Sequence, residues 1–155
     1  MATALHDLNG EPKFDEIVLE EDYRPSNDEE FMCDRHRAYF LMKLKEWKES
    51  IVEESRATLA QLQIDSLREP DLADRASSET DWSLELRTRD RQRKLIGKID
   101  AAIRWLYSDD FGYCSVTGDP ISLQRLEARP IATMTLEAQE KHERTERVSR
   151  DERTD

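Results

Sequence analysis

Residues 40–51 read FLMKLKEWKESI and residues 95–106 read LIGKIDAAIRWL. In the first stretch Phe40, Leu44, Trp47 and Ile51 are spaced 4, 3 and 4, and in the second Leu95, Ile99, Ala102 and Leu106 repeat the rhythm. A helix turns once in about 3.6 residues, so this spacing puts each set on one face, the seam of a coiled coil. Neither helix can bury its stripe alone. Between them stands Pro70, which cannot continue a helix and discourages helical geometry at Glu69. Two striped helices joined by a short proline-containing turn make an antiparallel hairpin.

Working outward, Pro25-Ser26-Asn27-Asp28 supplies a helix start signal, with Glu29 and Glu30 in the first turn. No glycine or proline follows until past Leu67, although the pattern shifts phase through Val52, Leu59 and Leu62. A first helix of roughly 38 residues would be about 57 Å long. The second helix is expected to start between Asp74 and Ser78 and to run to about Ser108. Gly97 is a weak point within it, costing about 1 kcal/mol against alanine. After the hairpin, a compact lobe is expected from Phe111 to about Met134, with apolar residues Tyr113, Val116, Ile121, Leu123, Leu126 and Ile131. Its TGDP segment is a turn between two short strand-like pieces. A last helix begins near Thr135, and its Lys141, Arg144, Arg147, Arg150 and Arg153 recur every three residues, drifting around the helix.

The fold class expected is therefore mainly α: a long antiparallel coiled-coil hairpin, a small lobe and a C-terminal helix. Residues 1–28 form an acidic N-terminal arm, 29–108 the hairpin with its tip at 68–77, and 109–155 the lobe and last helix. Phe14, Ile17, Val18, Leu19 and Tyr23 could let part of the arm dock on the body.

Composition agrees with an elongated chain. Of 155 residues 37% are apolar and 38% charged, which leaves little for a thick core. Net charge is −11, of which residues 1–30 carry −8. Such a chain repels phosphate backbones, so unaided nucleic-acid binding is disfavoured. No apolar run approaches the roughly 20 residues that cross a bilayer, and the first ten residues lack a signal peptide's features. Cys33 and Cys114 do not suggest a disulfide framework. A soluble cytoplasmic protein, monomeric on the evidence of its single hairpin, is the expectation.

Chemistry could reside in two places. At the tip, EPDLADRA places Asp71 and Asp74 where a rod can touch something end-on. Asp74 could equally be the N-cap of the second helix, and Asp71 could help to close the turn. In RTRDRQRKLIGK, Arg87, Arg91, Lys94 and Lys98 share one helical face. They could pair with acids of the first helix, dock on an acidic partner or hold a phosphate ligand. His6, His36 and His142 are scattered, and no nucleophile pattern, metalloprotease motif or glycine-rich phosphate loop is present. Carboxylates exposed on a loop are poorly placed for pKa tuning, so catalysis is not expected.

DLADRA, WSLELRTRDRQRKLIGKI, DDFGYC and RLEARP stand in the order and spacing of one family. From about Arg24 to Glu146 the chain resembles DksA/TraR-type transcription factors. The resemblance implies a non-enzymatic regulator whose hairpin enters the secondary channel of RNA polymerase and acts with guanosine tetraphosphate (ppGpp) in the stringent response. It implies that Asp71, Asp74 and Ala76 form the tip contact near the polymerase active centre and that Arg91 contacts the rim. It implies that Leu95, Lys98 and Arg129 bind ppGpp in a pocket shared with the polymerase. A family lysine is replaced by Gln139, and Lys141 stands two residues out of register. The family's four zinc cysteines would fall at 114, 117, 135 and 138, where this chain has Cys114, Thr117, Thr135 and Ala138. That is a degenerate zinc-finger-like lobe for which no zinc is expected. Cys114 is read as a small buried hydrophobe, and Thr135 as a cap for the last helix. Two rivals remain: a Gre-like transcript-cleavage or backtracking factor, and a plain coiled-coil adaptor.

Overall fold

The computed structural model describes the backbone at residues 5–6, 12–66 and 72–151, and side chains at 13–58, 60 and 82–149. Helices α1 (Asp34–Ser66) and α2 (Leu72–Leu106) dominate, followed by α3 (Leu123–Ala128) and α4 (Leu136–Asp151). Near the N-terminus a two-residue ladder pairs Leu5 with Lys13 and His6 with Pro12, leading into a 3-10 turn at Phe14–Glu16. The chain forms two compact units, one of Met1–Met42 with Ala102–Asp155, the other of Lys43–Ala101.

The unit of Lys43–Ala101 holds most of the two helices. Leu44, Ile51 and Ile99 are buried, while Trp47 and Leu95 are partly covered. Lys48 Nζ bonds to Asp100 Oδ1 at 2.6 Å across the helix pair. Both groups are more than one-third exposed, so this pair fixes register more than it adds stability. In the other unit Arg37, near the start of α1, bonds the carbonyl of Leu106 at the end of α2. Numbers rising along one helix fall along the other, which is the antiparallel arrangement.

Three helix limits differ from the sequence expectation. α1 begins at Asp34, because Met32 adopts a left-handed φ of 54° and interrupts the helix that Asp28 would have started. α2 begins at Leu72, so Asp74 lies inside its first turn and is not its N-cap. α3, in the LEARP segment, carries no apolar periodicity long enough to announce it. Ser122 caps it, its side chain accepting from the Arg125 N–H.

The unit of Met1–Met42 and Ala102–Asp155 packs its core around aromatic rings. Phe40, Phe111, Leu106, Ile121 and Leu126 are fully buried. Trp105 meets Phe111 edge-on at 5.4 Å and Phe40 meets it at 6.1 Å. Val116 was expected in this core, but it is 68% exposed at the tip of the turn. Phe14, from the acidic N-terminal segment, is buried with its ring 5.4 Å from Tyr107. Arg24 bonds Glu127 at 3.1 Å, and Tyr39 donates to the same carboxylate at 2.8 Å. The N-terminal segment thus has a seat on the lobe.

Candidate functional site

The frame at residues 114, 117, 135 and 138 is built by backbone hydrogen bonds. Cys114 N–H donates to the Asp119 carbonyl at 2.7 Å, and Gly118 N–H donates back to Cys114 at 2.8 Å. Ile121 N–H reaches the Gly112 carbonyl at 2.7 Å, and Tyr113 bridges to Pro120. The TGDP segment is therefore a tight turn, with Gly118 in the left-handed region. Ser115 N–H donates to the Thr133 carbonyl at 2.9 Å, tying this turn to the segment that precedes α4.

The side chains at the frame do not fit a four-ligand zinc site. Thr135 Oγ1 accepts the N–H of Ala138, capping α4 as the sequence suggests. Thr117 Oγ1 accepts the N–H of Asp119 at 3.3 Å. Ala138 offers no ligand atom, and structural zinc normally takes four Cys or His ligands. The hydroxyls are engaged with the backbone and a single sulfur remains.

That sulfur is buried, as expected from sequence, and it also has hydrogen-bond donors around it. Cys114 is buried, and burial pushes its thiol up. The Thr117 hydroxyl and the backbone N–H groups of Thr135, Val116 and Thr117 together outweigh burial and bring it down to about 6.

Arg125 completes the lobe from the α3 side. It donates to the Met134 carbonyl at 2.8 Å and to Gln139 Oε1 at 2.5 Å, and Gln139 in turn donates to Glu143. Sequence reasoning treated Gln139 only as a missing lysine; the structure makes it an acceptor for the half-buried Arg125. No local motif marks that pair, which is 14 residues apart. Arg37 is the other connection that sequence missed. It bonds the carbonyls of Met32, Leu106 and Ser108 at 3.1, 3.1 and 2.9 Å.

The remaining candidates fall on different elements. Asp71 lies outside the described residues. Asp74 and Ala76 lie on the backbone of α2, with their side chains outside the described set. Arg91 and Lys98 are exposed on α2, with Leu95 half-buried one turn from Lys98. Arg129 is the exposed residue that follows α3 and lines an open groove of about 690 Å³ with Arg125, Thr135 and Glu137. Arg87, Arg91, Lys94 and Lys98 are all exposed, and among the described residues none forms an ion pair with them. Among the described residues, no helix is long and apolar enough to cross a membrane.

Comparisons with known proteins span both units. Residues 36–106 match the family described as DnaK suppressor protein DksA, N-terminal domain. Residues 109–144 match the prokaryotic dksA/traR C4-type zinc finger. The chain is 62% identical over 136 residues to the RNA polymerase-binding transcription factor DksA of Caulobacter vibrioides, covering 88% of this chain and 96% of the relative. It is 39% identical over 117 residues to the protein of that name from Escherichia coli K12, covering 76% and 78%. The solved structure of transcription factor DksA2 from Pseudomonas aeruginosa matches with a TM-score of 0.70 at 35% identity, covering 80% of this chain and 94% of that one.

Proposed function

This chain belongs to the DksA family, and from that premise we propose that it regulates transcription initiation by binding RNA polymerase through the secondary channel. The observation that carries this reading is the match across both helices and the lobe, at 62% identity to a relative named for polymerase binding. The exposed stripe of Arg87, Arg91, Lys94 and Lys98 supports it, since four exposed cations on an acidic chain suit an acidic docking surface.

In this reading the tip residues Asp71, Asp74 and Ala76 reach the neighbourhood of the polymerase active centre, and Arg91 engages the rim. A contact worth about 1.4 kcal/mol between two open-complex states changes their ratio tenfold, so regulation needs no catalysis by the chain itself. Leu95, Lys98 and Arg129 contribute to a ppGpp pocket completed by the polymerase. Gln139 withholds the cation that the family places there, which weakens the alarmone's part. The protein acts as a cytoplasmic monomer, without zinc in the 114–138 frame and without direct nucleic-acid binding.

The test is in vitro transcription from a stable-RNA promoter with purified polymerase, comparing wild type and Asp74→Asn with and without ppGpp. Inhibition by wild type that deepens with ppGpp and is lost in Asp74→Asn supports the proposal. Polymerase binding with no effect on initiation by wild type would favour a coiled-coil adaptor. Stimulated cleavage of backtracked transcripts would favour a Gre-like factor.

A further inference from the structure

At the start of α1, on different elements from the 114–138 frame, Glu29, Cys33 and His36 converge. A carboxylate oxygen, the sulfur and a ring nitrogen lie within 4.8 Å of one another. The local chain brings them together. Cys33 N–H donates to the Glu30 carbonyl at 3.1 Å, closing a turn through the left-handed Met32. The Cys33 carbonyl then accepts the Arg37 N–H at 3.0 Å, so the helix starts directly behind the sulfur. His36 follows one turn along the same face.

His36 is fully buried, yet it is short of partners. One ring nitrogen, Nε2, lies 3.2 Å from Glu29 Oε2, and the other, Nδ1, has no partner among the described residues. A neutral imidazole carries one proton. With the proton on Nε2, the buried Nδ1 lone pair accepts nothing; with it on Nδ1, the Nε2 lone pair faces a carboxylate. Buried polar groups are normally satisfied, so the ring is under-used as a purely structural residue. A cation between Nε2, the carboxylate and the sulfur would turn that second arrangement, lone pair against carboxylate, into a bonded one.

We infer that Glu29, Cys33 and His36 form an accessory binding site for a divalent cation of the zinc class. A sulfur, an imidazole nitrogen and a carboxylate oxygen suit a borderline-soft ion, not calcium or magnesium. On binding, Cys33 releases its thiol proton to solvent, and neutral His36 offers a lone pair. Tyr23 donates its hydroxyl to Glu29 Oε2 at 2.5 Å. Burial first, then Glu29, holds that phenol well above its usual range, which keeps it a hydrogen-bond donor to the carboxylate. Arg35 holds the other carboxylate oxygen at 3.0 Å and stacks on Tyr23 at 4.3 Å. Tyr23 and Arg35 therefore keep the carboxylate in place without metal, so occupancy reports metal availability and is no condition of folding.

The test uses full-length protein stripped with a chelator, titrated with zinc chloride by calorimetry and with cobalt chloride by absorption. One equivalent of each should bind, the cobalt form showing a sulfur-to-metal charge-transfer band. Cys33→Ser should abolish the band and weaken zinc binding by about tenfold or more. Glu29→Gln should weaken binding but keep the band, and Cys114→Ala should change neither. Variants are compared only where helical circular dichroism matches wild type, and Cys33→Ala replaces Cys33→Ser if the latter does not fold. No band in wild type, or a band that survives loss of Cys33 and disappears with Cys114→Ala, would overturn the inference.

Discussion

Thr135 Oγ1 lies 4.0 Å from Cys114 Sγ while it accepts the N–H of Ala138 at 3.3 Å. One hydroxyl thus caps α4 and faces the remaining sulfur, at a position where zinc-bearing relatives would place a metal ligand. Thr135→Ala removes both contacts and is expected to cost about 1–2 kcal/mol, the upper range for an N-cap. Thr135→Ser keeps the hydroxyl and should lie within about 0.5 kcal/mol of wild type. Urea denaturation of the three proteins measures this; equal loss in both variants would mean that the threonine methyl, not the hydroxyl, matters.

Burial raises the Cys114 thiol, but hydrogen bonds from Thr117, Thr135 and Val116 pull it from an ordinary value near 9 down to about 6. A depressed folded value gives stabilisation that is complete above the unfolded value and lost as pH falls through about 6. Between those limits the advantage of wild type over Cys114→Ala should grow by about 1.4 kcal/mol per pH unit, from an onset near pH 6. Denaturation midpoints at three pH values across this window check the slope. A pH-independent difference would return Cys114 to the role of a small hydrophobe.

Two glycines of the lobe should respond unequally to alanine. Gly112 has φ +89°, and a Cβ there would meet Met32 Cγ at 2.6 Å; Gly118 has φ +76° but opens on free space. Both substitutions carry the left-handed penalty of about 1–2 kcal/mol. Gly112→Ala adds overpacking against Met32, about 1–3 kcal/mol more. Thermal melts should rank wild type above Gly118→Ala and both above Gly112→Ala.

Gln139→Lys sets two functions against each other. It restores the cation that the family pattern places there, but it removes the acceptor held by Arg125 at 2.5 Å and puts a second positive charge beside it. The variant should lose about 1–2 kcal/mol of stability and gain sensitivity to ppGpp in transcription. Gln139→Ala should lose stability alone. Unchanged ppGpp response in Gln139→Lys would remove position 139 from the alarmone site.

The seam was legible because its signal is local and periodic: Phe40, Leu44, Ile51, Ile99 and Leu106 are buried as their spacing requires. The start of α1 was not, because Ser26, Asn27 and Asp28 look like caps whether or not the chain goes on to a left-handed residue at Met32. Val116 misled because an apolar residue at a turn tip is indistinguishable in sequence from one in a strand. The changed ligands of the lobe could be read directly, but what replaced them could not. Arg125 with Gln139, and the donors gathered on Cys114, depend on segments far apart in the chain. Asp71 and the side chains of Asp74 and Ala76 rest on family resemblance and not on any contact described above.

The central claim is that a DksA-family lobe can keep its shape and its hold on RNA polymerase after exchanging zinc ligands for hydrogen bonds. The most direct measurement is inhibition of initiation at a stable-RNA promoter by full-length protein after exhaustive chelation, beside untreated protein. The account predicts the same inhibition curve for both, with helical circular dichroism unchanged. Loss of inhibition on chelation that is recovered by adding zinc would contradict it.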